Sequence, residues 1–270
     1  MKKIVLAGVS SIITIITFAQ KTPSPRQERK NERREKIAEL MKQEEEGALI
    51  FQKQSAFGIK LTSDGYAAFY ELGQLKTPTK TNLYSLEIGE RKHPKEEKIT
   101  QGDVFGFAVG NPFIFGKINN FYYAKLGIAQ QRLIGGKGNK NGVAVSANYG
   151  GGFSAGLLKP YYLDVNTPGN GRSDVKYNND DSTYQIFTKA TEINGSSGLF
   201  KGFNEMTFVP GAFAKTALRF DYGRYNEVVS AVEVGVNVEW YSKKMPILLL
   251  NKEKQLFFNV YAAIVFGKRK

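Results

Sequence analysis

Val232-Glu233-Val234-Gly235-Val236-Asn237-Val238-Glu239-Trp240 alternates apolar and polar or small side chains without a break. A period of two puts the four valines and the tryptophan on one face of an extended strand, with Glu233, Asn237 and Glu239 on the other. Just downstream, Leu256, Phe258, Val260, Ala262, Ile264 and Phe266 oppose Asn259 and Tyr261. Just upstream, Ala212, Ala214, Leu218, Phe220 and Tyr222 oppose Lys215, Arg219 and Asp221. Val143, Val145, Ala147, Tyr149 and Phe153 oppose Ser146, Asn148, Gly150, Gly152 and Ser154, and Tyr122, Ala124, Leu126 and Ile128 oppose Lys125 and Gln131. Three earlier segments repeat the pattern. Leu49, Phe51, Phe57, Ile59 and Leu61 face away from Gln52, Gln54, Gly58, Lys60 and Thr62; Tyr66, Ala68, Tyr70 and Leu72 from Glu71 and Gly73; Tyr84, Leu86 and Ile88 from Ser85, Glu87 and Gly89. Turn chemistry separates them, as in Ser63-Asp64-Gly65, Thr77-Pro78-Thr79 and Gly135-Gly136-Lys137-Gly138-Asn139.

Eight alternating segments predict an all-β chain. An antiparallel sheet of this kind either buries its apolar face in a sandwich, or closes into a barrel that turns that face to lipid and encloses the polar one. Each apolar face covers roughly nine to eleven residues, the length a tilted strand needs to cross a bilayer. The polar faces hold Gly, Ser, Asn and isolated charges, with no lysine-rich solvated stripe. The gaps after the second, fourth and sixth segments are short (76–80, 135–141, 223–227). Those after the third, fifth and seventh are long (90–112, 164–204, 242–254), as in outer membrane barrels. The expected fold is a closed antiparallel up-and-down transmembrane barrel of eight strands over 47–270. A ten-stranded alternative would add a hairpin from 103–109 or 182–189, since Thr183-Tyr184-Gln185-Ile186-Phe187 also alternates. Tyr66, Tyr122 and Trp240 fall near the outer interface in this scheme, and Tyr222 and Phe266 near the inner one. Lys53, in the outward register, sits low enough to reach the inner interface.

The chain of 270 residues begins with Lys2-Lys3, an apolar run from Ile4 to Phe18, and small side chains flanking Phe18 in Thr17-Phe18-Ala19. This is the pattern of a signal peptide over 1–20, and the run is too short for a spanning helix. Residues 21–46 predict a charged periplasmic arm that is helical from Arg26 to Glu46, with Glu32 and Lys36 as an i,i+4 pair. Its sparse apolar stripe, Ile37, Leu40 and Met41, is too small to build a domain. The formal charge is +13, or +11 once Lys2 and Lys3 are removed. Such a charge suits anionic partners, and export excludes nucleic acid from them.

The charges assigned to the barrel interior are Glu71, Glu87, Asp221, Glu233 and Glu239 against Lys60, Lys125, Lys215 and Arg219. An eight-stranded bore is just wide enough for side chains to fill, and charges enclosed there must pair. These nine residues therefore read as a structural ion-pair network, not a conduction path. Arg91, Lys92, Lys95 and Lys98, with Lys243 and Lys244, fall at the outer side as candidate contacts for lipopolysaccharide phosphates. The terminal Lys268-Arg269-Lys270 falls at the inner side, facing headgroups. Met245-Pro246-Ile247-Leu248-Leu249-Leu250 either caps the mouth or extends the seventh strand.

Chemistry is sparse. The chain has no cysteine and one histidine, His93, so no thiol catalysis and no metal or cofactor site is expected. His93 with Ser85 and Glu87 is the one thinkable hydrolase set, of a kind that would modify lipid A; no Gly-x-Ser-x-Gly elbow is present. Gly150-Gly151-Gly152 lacks the Gly-Lys-Ser of a phosphate loop and reads as a place where the strand bends or packs closely around a large inward side chain.

Gly116-Lys117-Ile118-Asn119-Asn120, Gly152-Phe153-Ser154 with Gly156-Leu157-Leu158-Lys159-Pro160-Tyr161-Tyr162, and the ending Val265-Phe266-Gly267-Lys268 resemble the small outer membrane β-barrel proteins common in Bacteroidota, of the OmpA-like class. The resemblance runs from Gly47 to the end and carries no chemistry. Phe266 is followed by four more residues, a departure from the terminal aromatic of such barrels. It implies a non-enzymatic protein of the outer membrane. Its partners would be membrane lipid and lipopolysaccharide, or a periplasmic or outer membrane protein that meets the arm in secretion or envelope assembly.

Overall fold

Closure of the β-sheet is set by its first and last strands. In the computed structural model, β1 (Lys53–Thr62) pairs on one side with β2 (Gly65–Thr77) and on the other with β15 (Lys254–Arg269). The structure describes residues 29–30, 32–34, 51–100, 103–104, 107–108, 111–137, 142–167, 171–189, 193–223 and 227–270. The chain divides into two units, Met1–Glu45 and Glu46–Lys270. In the first, residues 29, 30 and 32–34 are helical and exposed, while the signal segment 1–20 and the rest of the arm lie outside the described residues.

The second unit is a closed barrel with the order β1-β15-β14-β13-β9-β8-β3-β2. Its other strands are β3 (Lys80–Arg91), β8 (Asn119–Gly135), β9 (Ala144–Pro160), β13 (Thr207–Asp221) and β14 (Val228–Met245). Following register partners around the ring gives the geometry directly. Phe266 pairs with Phe57, and the row continues through Tyr70, Leu86, Leu126, Phe153, Ala212 and Trp240 to Leu256. One circuit thus returns to β15 ten residues from its start. At ~3.3 Å per residue and ~4.8 Å per strand, that stagger tilts the strands by about 40° to the barrel axis.

Side-chain parity holds around the ring. Phe57, Ile59 and Leu61 point out and are 48, 57 and 65% exposed, whereas Lys60 between them is 2% exposed. Glu233 and Glu239 are fully buried between exposed Val232, Val234, Val238 and Trp240. The three successive glycines sit where strands crowd. A Cβ at Gly152 would meet the Leu126 carbonyl oxygen at 2.1 Å, and one at Gly127 would meet the inward Phe213 ring at 2.6 Å.

Two strand-end expectations change. Phe51 is buried, not outward; it precedes β1 and packs over the short-turn end with Ala144, its ring 5.1 Å from the Arg269 guanidinium. The ten-stranded alternative is overturned. Among the described residues, Asp103–Val104 (β5) and Phe107–Ala108 (β6) pair with each other and with no barrel strand. Residues Asp181–Thr188 form a helix, α1, although they alternate. The Asp180 carboxylate accepts from the Thr183 amide at 2.7 Å, a capping contact that starts a helix, and Thr183 and Phe187, four apart, share its buried side.

The two longest loops build a small layer of their own. β10 (Tyr162–Thr167) lies between β11 (Gly171–Lys176) and β12 (Ile193–Ser196), and β4 (Lys98–Ile99) pairs with β7 (Phe113–Ile114). Phe113, Leu163, Val165, Phe187 and Ile193 form its core. β14 runs on to Met245, and Ile247 and Leu248 then pack with Phe121, Tyr241 and Phe257 at the barrel mouth, so this apolar stretch does cap it. Gly152→Ala is expected to destabilise the barrel by about 1–3 kcal/mol, because the added methyl meets backbone that cannot turn away. Urea unfolding in detergent checks this.

Candidate functional site

The inward side chains form a chain of ion pairs running down the bore. Near the long-loop end, Arg91 contacts Asp64 and Glu239, each at 2.7 Å. Lys125 bridges Glu239 at 2.6 Å and Glu87 at 3.0 Å, and Lys60 also holds Glu87. Midway, Arg219 reaches Glu71 at 2.6 Å and Glu233 at 2.5 Å, while Lys215 lies 3.3 Å from Glu71. Tyr261 and Asn148 donate to the two oxygens of Glu233, at 2.7 and 2.8 Å. At the short-turn end, Asp221 pairs with Arg269, and Lys137 lies 3.6 Å away.

Register explains the contacts. Glu87 and Lys125 are direct partners across β3 and β8, and Arg219 and Glu233 across β13 and β14. Opposite charges on facing positions of adjacent strands attract without any loop to position them. Aromatic rings fill the remaining space around the cations. Lys125 Nζ is 4.1 Å from the Tyr123 ring centroid, Lys60 Nζ is 4.2 Å from that of Tyr261, and the Arg91 guanidinium is 4.6 Å from that of Phe257.

All nine residues assigned to the interior from sequence are buried there: Lys60, Glu71, Glu87, Lys125, Lys215, Arg219, Asp221, Glu233 and Glu239. Four further members, Asp64, Arg91, Lys137 and Arg269, escaped that reading. Arg91 is corrected from an outer lipid contact to an interior residue, 2% exposed. Arg269 is likewise turned inward instead of facing headgroups. Parity carried the signal in both cases: Arg91 stands an even number of residues from Glu87 on β3, and Arg269 from Tyr261 on β15. Asp64 and Lys137 lie in turns, where parity is undefined.

The other expected outer cations, Lys92, Lys95, Lys98, Lys243 and Lys244, are exposed at the long-loop end. Lys92 Nζ sits 5.3 Å from the Tyr66 ring centroid. A cleft of about 220 Å³ opens there above the short Ser63–Asp64 turn, between Lys92 and His93 on one side and Lys254 and Leu256 on the other.

The structure does not bring His93 together with Ser85 and Glu87. Ser85 stands six residues below Arg91 on β3, about 20 Å at ~3.3 Å per residue, and Glu87 is engaged by two lysines. His93 instead makes local contacts. Its Nδ1 accepts from the Lys95 amide at 3.2 Å, and its own amide donates to Glu96 at 3.0 Å. Burial, and then the charge of Lys254, push its pKa below the ordinary value. Among the described residues, no three acidic, histidine or cysteine side chains are grouped to hold a metal ion.

No protein-family model matches the chain, and no curated protein matches it significantly. Solved structures similar to it include Neisserial surface protein A (NspA), at 10% identity over 82% of this chain and 97% of that one, with a TM-score of 0.37. The N-terminal β-barrel domain of Pseudomonas aeruginosa OprF is 9% identical over 81% of this chain and 99% of its own, with a TM-score of 0.34. Ail of Yersinia pestis, in complex with the heparin analogue sucrose octasulfate, is 10% identical over 81% and 99%, with a TM-score of 0.34. At these values the likenesses assign no residue a role.

Two outcomes follow from the site. Arg219→Met leaves Glu71 and Glu233 without their shared partner and is expected to cost about 3–5 kcal/mol, read as a lower urea midpoint; adding Glu233→Gln restores part of the loss. For His93, a depressed pKa means the unfolded chain takes up the proton first. Stability is then present above the ordinary histidine value of about 6.5 and is lost as pH falls through it towards the folded value. Titration of the imidazole by NMR is expected to give a pKa below that of a free histidine, rising in Lys254→Met.

Proposed function

We propose that this chain is a non-enzymatic integral outer membrane β-barrel protein, with a bore filled by ion-paired side chains, that acts at its long-loop end on lipopolysaccharide or an envelope partner. The observation that carries this reading is the inverted placement of polarity. Charged groups are enclosed, while large apolar side chains stand exposed around the whole wall. In water that arrangement would leave a continuous apolar belt uncovered, far beyond the patches soluble monomers expose.

The dimensions agree. On β15 the outward residues from Leu256 to Phe266 are all apolar, with Lys254 and Lys268 bracketing them. Eleven residues tilted by about 40° span ~25 Å, the height of the apolar band of such barrels. The N-terminal 1–20 pattern, read as a cleaved signal peptide, supplies export, and the start of β1 and the end of β15 lie together at the short-turn end, the periplasmic side in this reading. Residues 21–46 are then a periplasmic arm. At the outer end, Lys92, Lys95, Lys98, Lys243 and Lys244 offer exposed cations at the level of lipid phosphates.

Envelope fractionation with carbonate washing, combined with gel migration before and after boiling, tests the core of this reading. Retention in the membrane and a heat-dependent shift are expected; full release by carbonate would overturn it. For the outer end, changing the five exposed lysines to glutamate is expected to weaken cosedimentation with lipopolysaccharide at low salt while preserving the gel shift. Unchanged cosedimentation would remove lipopolysaccharide from the reading.

A further inference from the structure

Lys159, near the top of β9, has the outward parity of Phe153 and Leu157, yet it is only 3% exposed. What covers it is the chain itself. Lys159 Nζ donates to the Leu199 carbonyl at 2.6 Å and lies 4.7 Å from the Phe203 ring centroid. Phe203 stacks in turn on Tyr122, with centroids 6.3 Å apart and planes 20° from parallel. Tyr122, Leu157 and Phe208 are successive register partners across β8, β9 and β13, at the top of the outward apolar belt. The segment from Gly198 to Glu205 therefore hangs on the outside of the wall, and does not lie over the mouth.

The segment is braced in that position. A left-handed turn at Gly202 (φ 87°) brings the backbone so close that a Cβ would meet the Pro160 carbonyl oxygen at 2.8 Å. Lys201 pairs with Asp174, and Glu205 pairs with Lys176 at 2.6 Å and accepts from the Tyr162 hydroxyl at 3.0 Å. All this fixes a tip whose two side chains touch little. Leu199 is 80% exposed and Phe200 89%, the most exposed large apolar side chain among the described residues.

A rigidly held apolar tip, placed beside an apolar belt and flanked by lysines, matches the boundary between acyl chains and headgroups. There, aromatic residues sit at the interface and lysines reach outward to phosphate. We propose that Leu199 and Phe200 form a finger that inserts into the outer leaflet beside the barrel, with the half-exposed Lys201 at headgroup depth. The inference rests on the membrane reading above and adds a second element, outside the barrel wall, that touches lipid.

The chain has a single tryptophan, Trp240, on the outward face of β14, which makes depth measurable. The full chain is reconstituted in vesicles of phosphatidylcholine with or without brominated acyl chains, and indole fluorescence is followed. Wild type reports Trp240; the F200W/W240F variant reports the tip. Folding is verified by heat-dependent migration, and L199W/W240F provides a second position should the first fail that check. The finger predicts bromolipid quenching of the tip indole at least half as strong as that of Trp240, with weak quenching by aqueous acrylamide. Full acrylamide access with no bromolipid quenching at either position, Trp240 being quenched as expected, would overturn the finger alone, whether the tip then meets solvent or a soluble protein. Unquenched Trp240 in wild type would instead overturn the membrane reading beneath it.

Discussion

Charges enclosed by a narrow ring of strands must be neutralised where they stand. Bulk water does not reach Glu233 or Arg219, so each side chain depends on the partner opposite. This requirement fixes which strand neighbours which, because Glu87 faces Lys125 and Arg219 faces Glu233 only in one register. A slip of one residue would carry every inward charge to the outer wall and every outward valine into the bore. The ion pairs thus specify an orientation that an apolar interior would leave undefined. Buried ion pairs in general add little net stability over apolar packing, whereas losing one partner leaves the other charge buried and unpaired at a cost of several kcal/mol.

The stagger of the ring determines what the interior can hold. A shift of ten residues per circuit with eight strands brings side chains of opposite walls together, as Glu71 on β2 meets Arg219 on β13. Large rings and glycines then alternate to use the space. Phe213 lies over Gly127, and Gly89 leaves room for Tyr123, whose hydroxyl would stand 2.6 Å from a Cβ there. The lysine ammonium groups nest among these rings, so aromatic and ionic contacts are interleaved instead of forming separate layers.

Strand number, facing and the central part of the charge network were legible in the sequence, because all three follow from a period of two. Lys60, Glu71 and Glu239 lie inside for the same reason that Ile59, Leu72 and Trp240 lie outside. Legibility failed where periodicity stops. Phe51 precedes the first paired residue, so counting from β1 sent it the wrong way. Thr183 to Phe187 alternates, but the Asp180 cap and the four-residue spacing of Thr183 and Phe187 outweigh five residues of pattern. Arg91 shows a different failure: a cation next to Lys92 and His93 reads as part of a basic loop, although its position on β3 already turns it towards Glu239. The outer segment around Phe200 had no signature at all, since its placement depends on Lys159 and Tyr122, distant in sequence and joined only by the fold.

The seam between β1 and β15 joins residues about two hundred positions apart, from Thr62 with Tyr261 to Gln54 with Arg269. The ring cannot shut until the final strand has left the ribosome and reached the site of assembly. Until then both edges offer unpaired backbone to any passing strand, its own or another chain's. Closing this seam is therefore the pairing of greatest sequence separation in the barrel, the kind of contact whose loop-closure cost slows folding and leaves open edges exposed while it is unmade.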